Sequence, residues 1–102
     1  MAIRIKCDIE GFERNWIDFR DNNWPFGDRR KMLLGATDLD ALETILGYVE
    51  AWCIYGVDEK KVTFKAEDKV DNLDKVDELL VNWVITAWFE ARAEREVLPK
   101  KD

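Results

Sequence analysis

The chain has no histidine, and only two cysteines, two prolines and five glycines among its 102 residues. Without histidine there is no Ser-His or Cys-His pair, and no imidazole to act as base or metal ligand. Cys7 and Cys53 lie too far apart to form a zinc site by spacing. The glycines are scattered, so no Gly-rich phosphate loop occurs. No apolar run approaches the roughly 20 residues of a membrane span. The N-terminus enters an alternating Ile-Arg-Ile-Lys pattern, with no apolar signal-peptide core. Positive charge is also short. Sixteen Lys and Arg against 22 Asp and Glu leave a net charge of −6, which argues against nucleic acid as a partner, because counterion-driven binding needs a basic stripe. The one basic cluster, Arg29-Arg30-Lys31, reads as a solvated loop or helix edge. The cysteines fall in apolar registers, so buried free thiols in a reducing cytoplasm are expected, with a Cys7–Cys53 disulfide as the alternative.

What remains is a chain of 47% hydrophobic and 37% charged residues, a globular composition. Its length suits one domain over residues 1–102, with residues 97–102 expected to form a flexible tail. Residues 3–10 alternate without a break, Ile3, Ile5, Cys7 and Ile9 on one side and charges on the other, which predicts a half-buried strand. Gly11 provides a turn, and residues 12–20 read as a second strand returning as a hairpin. Its alternation slips, so a bulge near Asn15 is expected, or else both faces are partly covered. A loop carrying Trp24, Pro25 and Phe26 follows, then a short helix near residues 28–34 ended by Gly35.

Thr37 offers an N-cap, with Asp38 and Asp40 in the first helical turn. Apolar residues at three- and four-residue steps from Leu39 to Cys53 extend that helix to Gly56, with Gly47 inside it where something approaches the backbone. Residues 62–65 are a candidate short third strand. A last helix begins between Asp71 and Asp74 and is closed by Pro99. Strands first and helices after predict an α+β fold, an N-terminal antiparallel hairpin packed against two long helices.

The last helix is the feature that bears on function. Along residues 79–89, Glu78, Asn82, Thr86 and Glu90 recur every four positions and define one narrow polar stripe. The rest is apolar, well beyond the stripe of about 100° that a surface helix buries. Either the helix runs through the centre of the domain or a partner covers one face. Trp83 and Trp88 share the broad face with Val84 and Ala87 and fit the core. Val81, Ile85 and Phe89 lie towards the other flank as a candidate partner-facing ridge. Trp88 beside Phe89, and Trp24 on its loop, complete the candidate partner-binding set. The alternative for the ridge is burial under the Trp24-Pro25-Phe26 loop, and for Trp24 itself exposure and a lid role stand equal.

Carboxylate pairs such as Asp18 with Asp21, or Glu43 with Glu50, are expected by chance among 22 acids. The Asp68–Asp74 run lacks the glycine and the glutamate of a calcium loop, and reads as a solvated helix start. No catalytic residue, metal ligand or cofactor is therefore expected, and the chain reads as non-enzymatic.

The order of an early hairpin, Trp16-Ile17-Asp18-Phe19-Arg20, a Trp-Pro loop, an acid-capped helix with Val49-Glu50-Ala51-Trp52 before Gly56, an acidic spacer, a long apolar helix and Leu98-Pro99-Lys100 resembles the tail assembly chaperones of long-tailed, non-contractile bacteriophages. The resemblance runs over most of the chain and carries no invariant site. It implies a factor of the host cytoplasm that self-associates and coats a long helical tape-measure protein until tube subunits assemble around it. Two readings compete: a structural head-tail or tail subunit of such a particle, and a small acidic regulator that binds one protein target.

Overall fold

A computed structural model describes residues 2–96 of the chain; the expected tail at 97–102 and the closing role of Pro99 lie outside the described residues. The fold is α+β. Strands β1 (Ala2–Lys6), β2 (Trp16–Arg20) and β3 (Val49–Cys53) form one antiparallel sheet in the order β1-β2-β3. Helices α1 (Phe26–Leu33) and α2 (Asp38–Leu46) lie between β2 and β3 in sequence. A kinked 3₁₀ segment (Ala66–Leu73) and the long helix α3 (Glu78–Glu96) complete the chain.

The hairpin register pairs Ile3 with Phe19 and Ile5 with Ile17, so the apolar side chains of both strands fall on one face. Ile17 and Phe19 are fully buried there, against α3. On the opposite face Arg4 pairs with Asp18 through two hydrogen bonds of 2.8 and 3.1 Å, and its guanidinium lies 3.7 Å from the Trp16 ring centroid. The strands are shorter than the alternation suggests because Asn15 closes the hairpin. Its buried amide donates to the Phe12 carbonyl and accepts from Tyr55 N–H, while its own carbonyl accepts from Cys7 N–H. The register irregularity lies between Asp18 and Phe19, opposite β3, and not near Asn15.

The main departure from the sequence reading is the third strand. It is Val49–Cys53, placed above at the end of a long helix, while residues 62–65 form no strand. The helical spacing from Leu39 to Cys53 runs across two elements. α2 starts where expected, with Thr37 Oγ1 accepting from Asp40 N–H at 3.2 Å, but it ends at Leu46 with Gly47 as its C-cap. The residues beyond, Tyr48, Val49, Trp52, Cys53, Ile54 and Tyr55, are aromatic or β-branched except for Cys53, and glycines bound the run at both ends. Paired with Ile17 of β2, Trp52 stands half-buried on the core face of the sheet, at its edge. Its indole N–H donates to the Val62 carbonyl at 2.8 Å and its ring meets Phe64 edge-on. The 62–64 segment thus lies along the edge of β3, where Val62 N–H donates to the Ile54 carbonyl at 2.8 Å and an isolated Tyr55–Lys61 bridge joins the two. Gly56 is a site of close approach and not a helix end: a Cβ there would sit 3.0 Å from the Lys75 carbonyl oxygen.

α3 begins at Glu78, later than the Asp71–Asp74 start expected from sequence. The acidic stretch before it is the 3₁₀ segment, held by buried Asn72. That amide accepts from Lys65 N–H and donates to the carbonyls of Lys65 and Lys69. Leu80, Trp83, Val84, Ala87, Trp88 and Ala91 carry α3 through the core. The indole N–H groups of Trp83 and Trp88 are buried there without an acceptor among the described residues. Cys7 is buried, Cys53 is half-buried, and both are free thiols. Burial raises the pKa of the Cys7 thiol, which keeps it in the unreactive protonated form.

Candidate functional site

The one-sided burial of α3 leaves part of its surface for other uses. Val81 and Ile85, one helical turn apart, are half-buried and line a groove of about 570 Å³ between α2, the 3₁₀ segment and α3. Leu42, Leu73 and Val76 contribute further apolar wall, and Leu39, 65% exposed, stands at the lip. Asp38, Asp74 and Glu78 also line the groove. Each acid has a local reason to be there. Asp38 and Glu78 occupy the first turns of α2 and α3, where the helix dipole favours negative charge. Asp74 ends the 3₁₀ segment. The result is an apolar trough bordered by three carboxylates with no cation among its lining residues.

The five expected partner-binding residues are divided by the fold. Val81 and Ile85 share the groove. Trp88 does not join them at the surface: it is 1% exposed and belongs to the core. The sequence reading placed it on both the core face and the candidate ridge, and its packing is that of the core face. Trp24 lies over Trp88, the rings stacked at 5.3 Å and 16°, and also packs on Tyr48 at 4.6 Å. Its loop therefore covers the C-terminal half of α3, and neither Val81 nor Ile85 lies beneath it in the aromatic cluster. Phe89 is 45% exposed and stands edge-on to Trp88.

Sequence reading missed the residue that holds this loop. Arg20, at the end of β2, donates Nε to the carbonyls of Asn22 and Asn23, Nη2 to Asn23 and Nη1 to the Gly47 carbonyl at 2.8 Å. The Trp24 indole N–H returns a bond to the Arg20 carbonyl at 2.8 Å. Tyr48, inside the same cluster, donates its hydroxyl to Asp28 at 2.7 Å. Burial first, and the bond to Asp28 second, raise its pKa above the ordinary tyrosine value.

One carboxylate of each chance pair has a structural partner: Asp18 bonds Arg4, and Glu43 meets Lys69 at 3.2 Å. Among the described residues no group of three or more Cys, Asp or Glu could hold a metal ion, and no helix is long and apolar enough to cross a membrane. No family model, curated protein or solved structure matches the chain.

Proposed function

We propose that the chain is a non-enzymatic assembly factor that takes an apolar, basic-flanked helix of a protein client in the groove between α2 and α3. The observation that carries this reading is the groove's composition, apolar walls from Val81, Ile85 and Leu39 with only carboxylates at its charged positions. Its α3 wall runs from Glu78 to Ile85, about 10 Å at 1.5 Å per residue, or two turns. A client helix laid in it presents anchors at i, i+3 or i+4, and i+7, the usual mode of helix-in-groove recognition. Lys or Arg beside those anchors meets Asp38, Asp74 and Glu78, which speeds encounter and sets orientation.

A two-turn contact gives modest affinity per copy. Such a factor works by lining many copies along a long client, as tail assembly chaperones do on a tape-measure protein, and neighbouring copies then touch one another. The exposed Phe26, Leu33 and Leu34 on and beside α1 are apolar surface available for that contact. The net charge of −6 keeps a coated client soluble.

The test is co-expression of the tagged chain with its neighbouring reading frames, followed by mass spectrometry of what is retained and light scattering of the complex. Several copies on one long helical protein support the proposal. Leu39→Glu and Asp74→Lys change exposed positions and should release the client with the fold intact.

A further inference from the structure

We propose that, before a client arrives, the α2–α3 groove is filled by helix α1 of a second copy of the chain, so that two copies shield each other's client site. This resting state concerns the same groove as the client reading and rests on it.

α1 has the make-up that the groove selects. It is eight residues long and buries none of them, and helices shorter than about 12 residues are marginal in water without a packed face. Asp28 and Met32, four residues apart and both half-buried, mark its inner face. Asp28 accepts from the Tyr48 hydroxyl at 2.7 Å, and Met32 packs against the core. Phe26 and Leu33, seven residues apart, lie on the outer face and are 65% and 68% exposed. Leu34, 80% exposed, extends this apolar stripe at the helix end. Arg29 and Arg30, also exposed, flank it. The tether through Asp28 keeps α1 from turning the stripe onto its own domain.

The groove matches α1 in length and in charge. Phe26 to Leu33 covers seven residue steps, about 10 Å, the same run as Glu78 to Ile85 along the α3 wall. Arg29 and Arg30 on the helix, and Asp38, Asp74 and Glu78 on the groove, form no ion pair among the described residues. In a second copy's groove the arginines meet those carboxylates, while Phe26 and Leu33 displace water from Leu39, Val81 and Ile85. The short 34–37 turn joins α1 to α2, so each copy carries the two surfaces side by side. A two-fold axis beside that turn lets each α1 enter the other copy's groove, and both contacts close together in a dimer. A client helix of higher affinity then displaces the pair and frees α1 for the copy next along the client.

The experiment is sedimentation equilibrium of the full chain alone, from about 10 μM to 1 mM. The mass should rise from 12.0 kDa to twice that value, and salt raised from about 50 to 500 mM should weaken pairing several-fold. The Phe26→Glu Leu33→Glu variant, altered at two exposed positions, should pair about tenfold more weakly or worse, with the melting temperature unchanged. Arg30→Glu and Asp74→Lys should each pair poorly with themselves. An equimolar mixture of the two should pair again, because opposite charges then face each other in both contacts. The proposal is overturned by a monomer at every concentration, by undiminished pairing in Phe26→Glu Leu33→Glu, or by a mixture that stays monomeric. The client reading is judged separately, since Phe26→Glu Leu33→Glu keeps the groove intact and should still retain the client on co-expression. A chain that pairs but retains no client sinks that reading alone; a monomeric chain that retains it sinks only the dimer.

Discussion

The Arg20 side chain fastens three pieces of backbone together: the end of β2, the 22–24 loop and the α2–β3 turn. Replacing it with alanine removes the contacts to the Asn22, Asn23 and Gly47 carbonyls together, and the guanidinium that lies 4.3 Å from the Tyr48 ring centroid. Hydrogen bonds from a charged donor contribute about 1.5–3 kcal/mol each. The two Nε contacts share one proton, and Arg20 is half-buried, so water replaces part of what is lost. The expected total for Arg20→Ala is therefore about 2–3 kcal/mol, well below the simple sum. For a domain of this size that lowers Tm by roughly 10–20 °C. Urea unfolding followed by circular dichroism measures the first quantity. Tryptophan emission reports the second consequence, a red shift as Trp24 loses its seat over Trp88. Arg20→Lys should recover less than half, because an ammonium cannot span the same carbonyls. A loss under about 0.5 kcal/mol, the range of ordinary surface changes, would refute the view of Arg20 as the clamp of this loop.

Two further predictions concern stability. Gly56→Ala should cost about 1–3 kcal/mol, because its Cβ meets the Lys75 carbonyl at 3.0 Å and that carbonyl already accepts from Val57 N–H; an unchanged urea midpoint would show that the loop yields freely. Tyr48 holds its proton more firmly in the folded chain than at the ordinary value of 10. Where the folded state keeps a proton that the unfolded state loses, stability is full below the unfolded pKa and declines as pH rises above it. Stability should thus fall from about pH 10 upward, and fall less steeply in Tyr48→Phe, with Cys7 retained in both because burial shifts its thiol in the same direction. Parallel slopes for the two proteins would remove Tyr48 as the cause.

The parts of the fold that could be read from sequence are those fixed by local chemistry. The alternation of Ile3, Ile5 and Cys7, the cap at Thr37 and the core face of the last helix through Trp83, Val84 and Ala87 each depend on residues within a few positions of one another. β3 was misread because apolar spacing alone does not separate a helix from a helix followed by a strand. The better signal was Gly47 ahead of the Tyr48-Val49 run. The candidate site was half visible for a similar reason. The polar stripe through Asn82 and Thr86 sets Val81 and Ile85 on one flank of α3, and that follows from helical periodicity. Asp38 and Asp74 border the same groove only because α2 and the 3₁₀ segment pack beside α3. Arg20 was invisible because its acceptors are backbone carbonyls whose positions exist only in the folded chain.

The central claim is that the α2–α3 groove holds a client helix. Its most direct test is the co-expression pull-down, run in parallel on the wild-type chain, Leu39→Glu and Asp74→Lys, with circular dichroism confirming that all three fold. The account predicts that the wild-type chain retains a helical companion at several copies per client, and that both variants elute without it. A wild-type chain that elutes alone as a monomer, or folded variants that keep the companion in full, would contradict it.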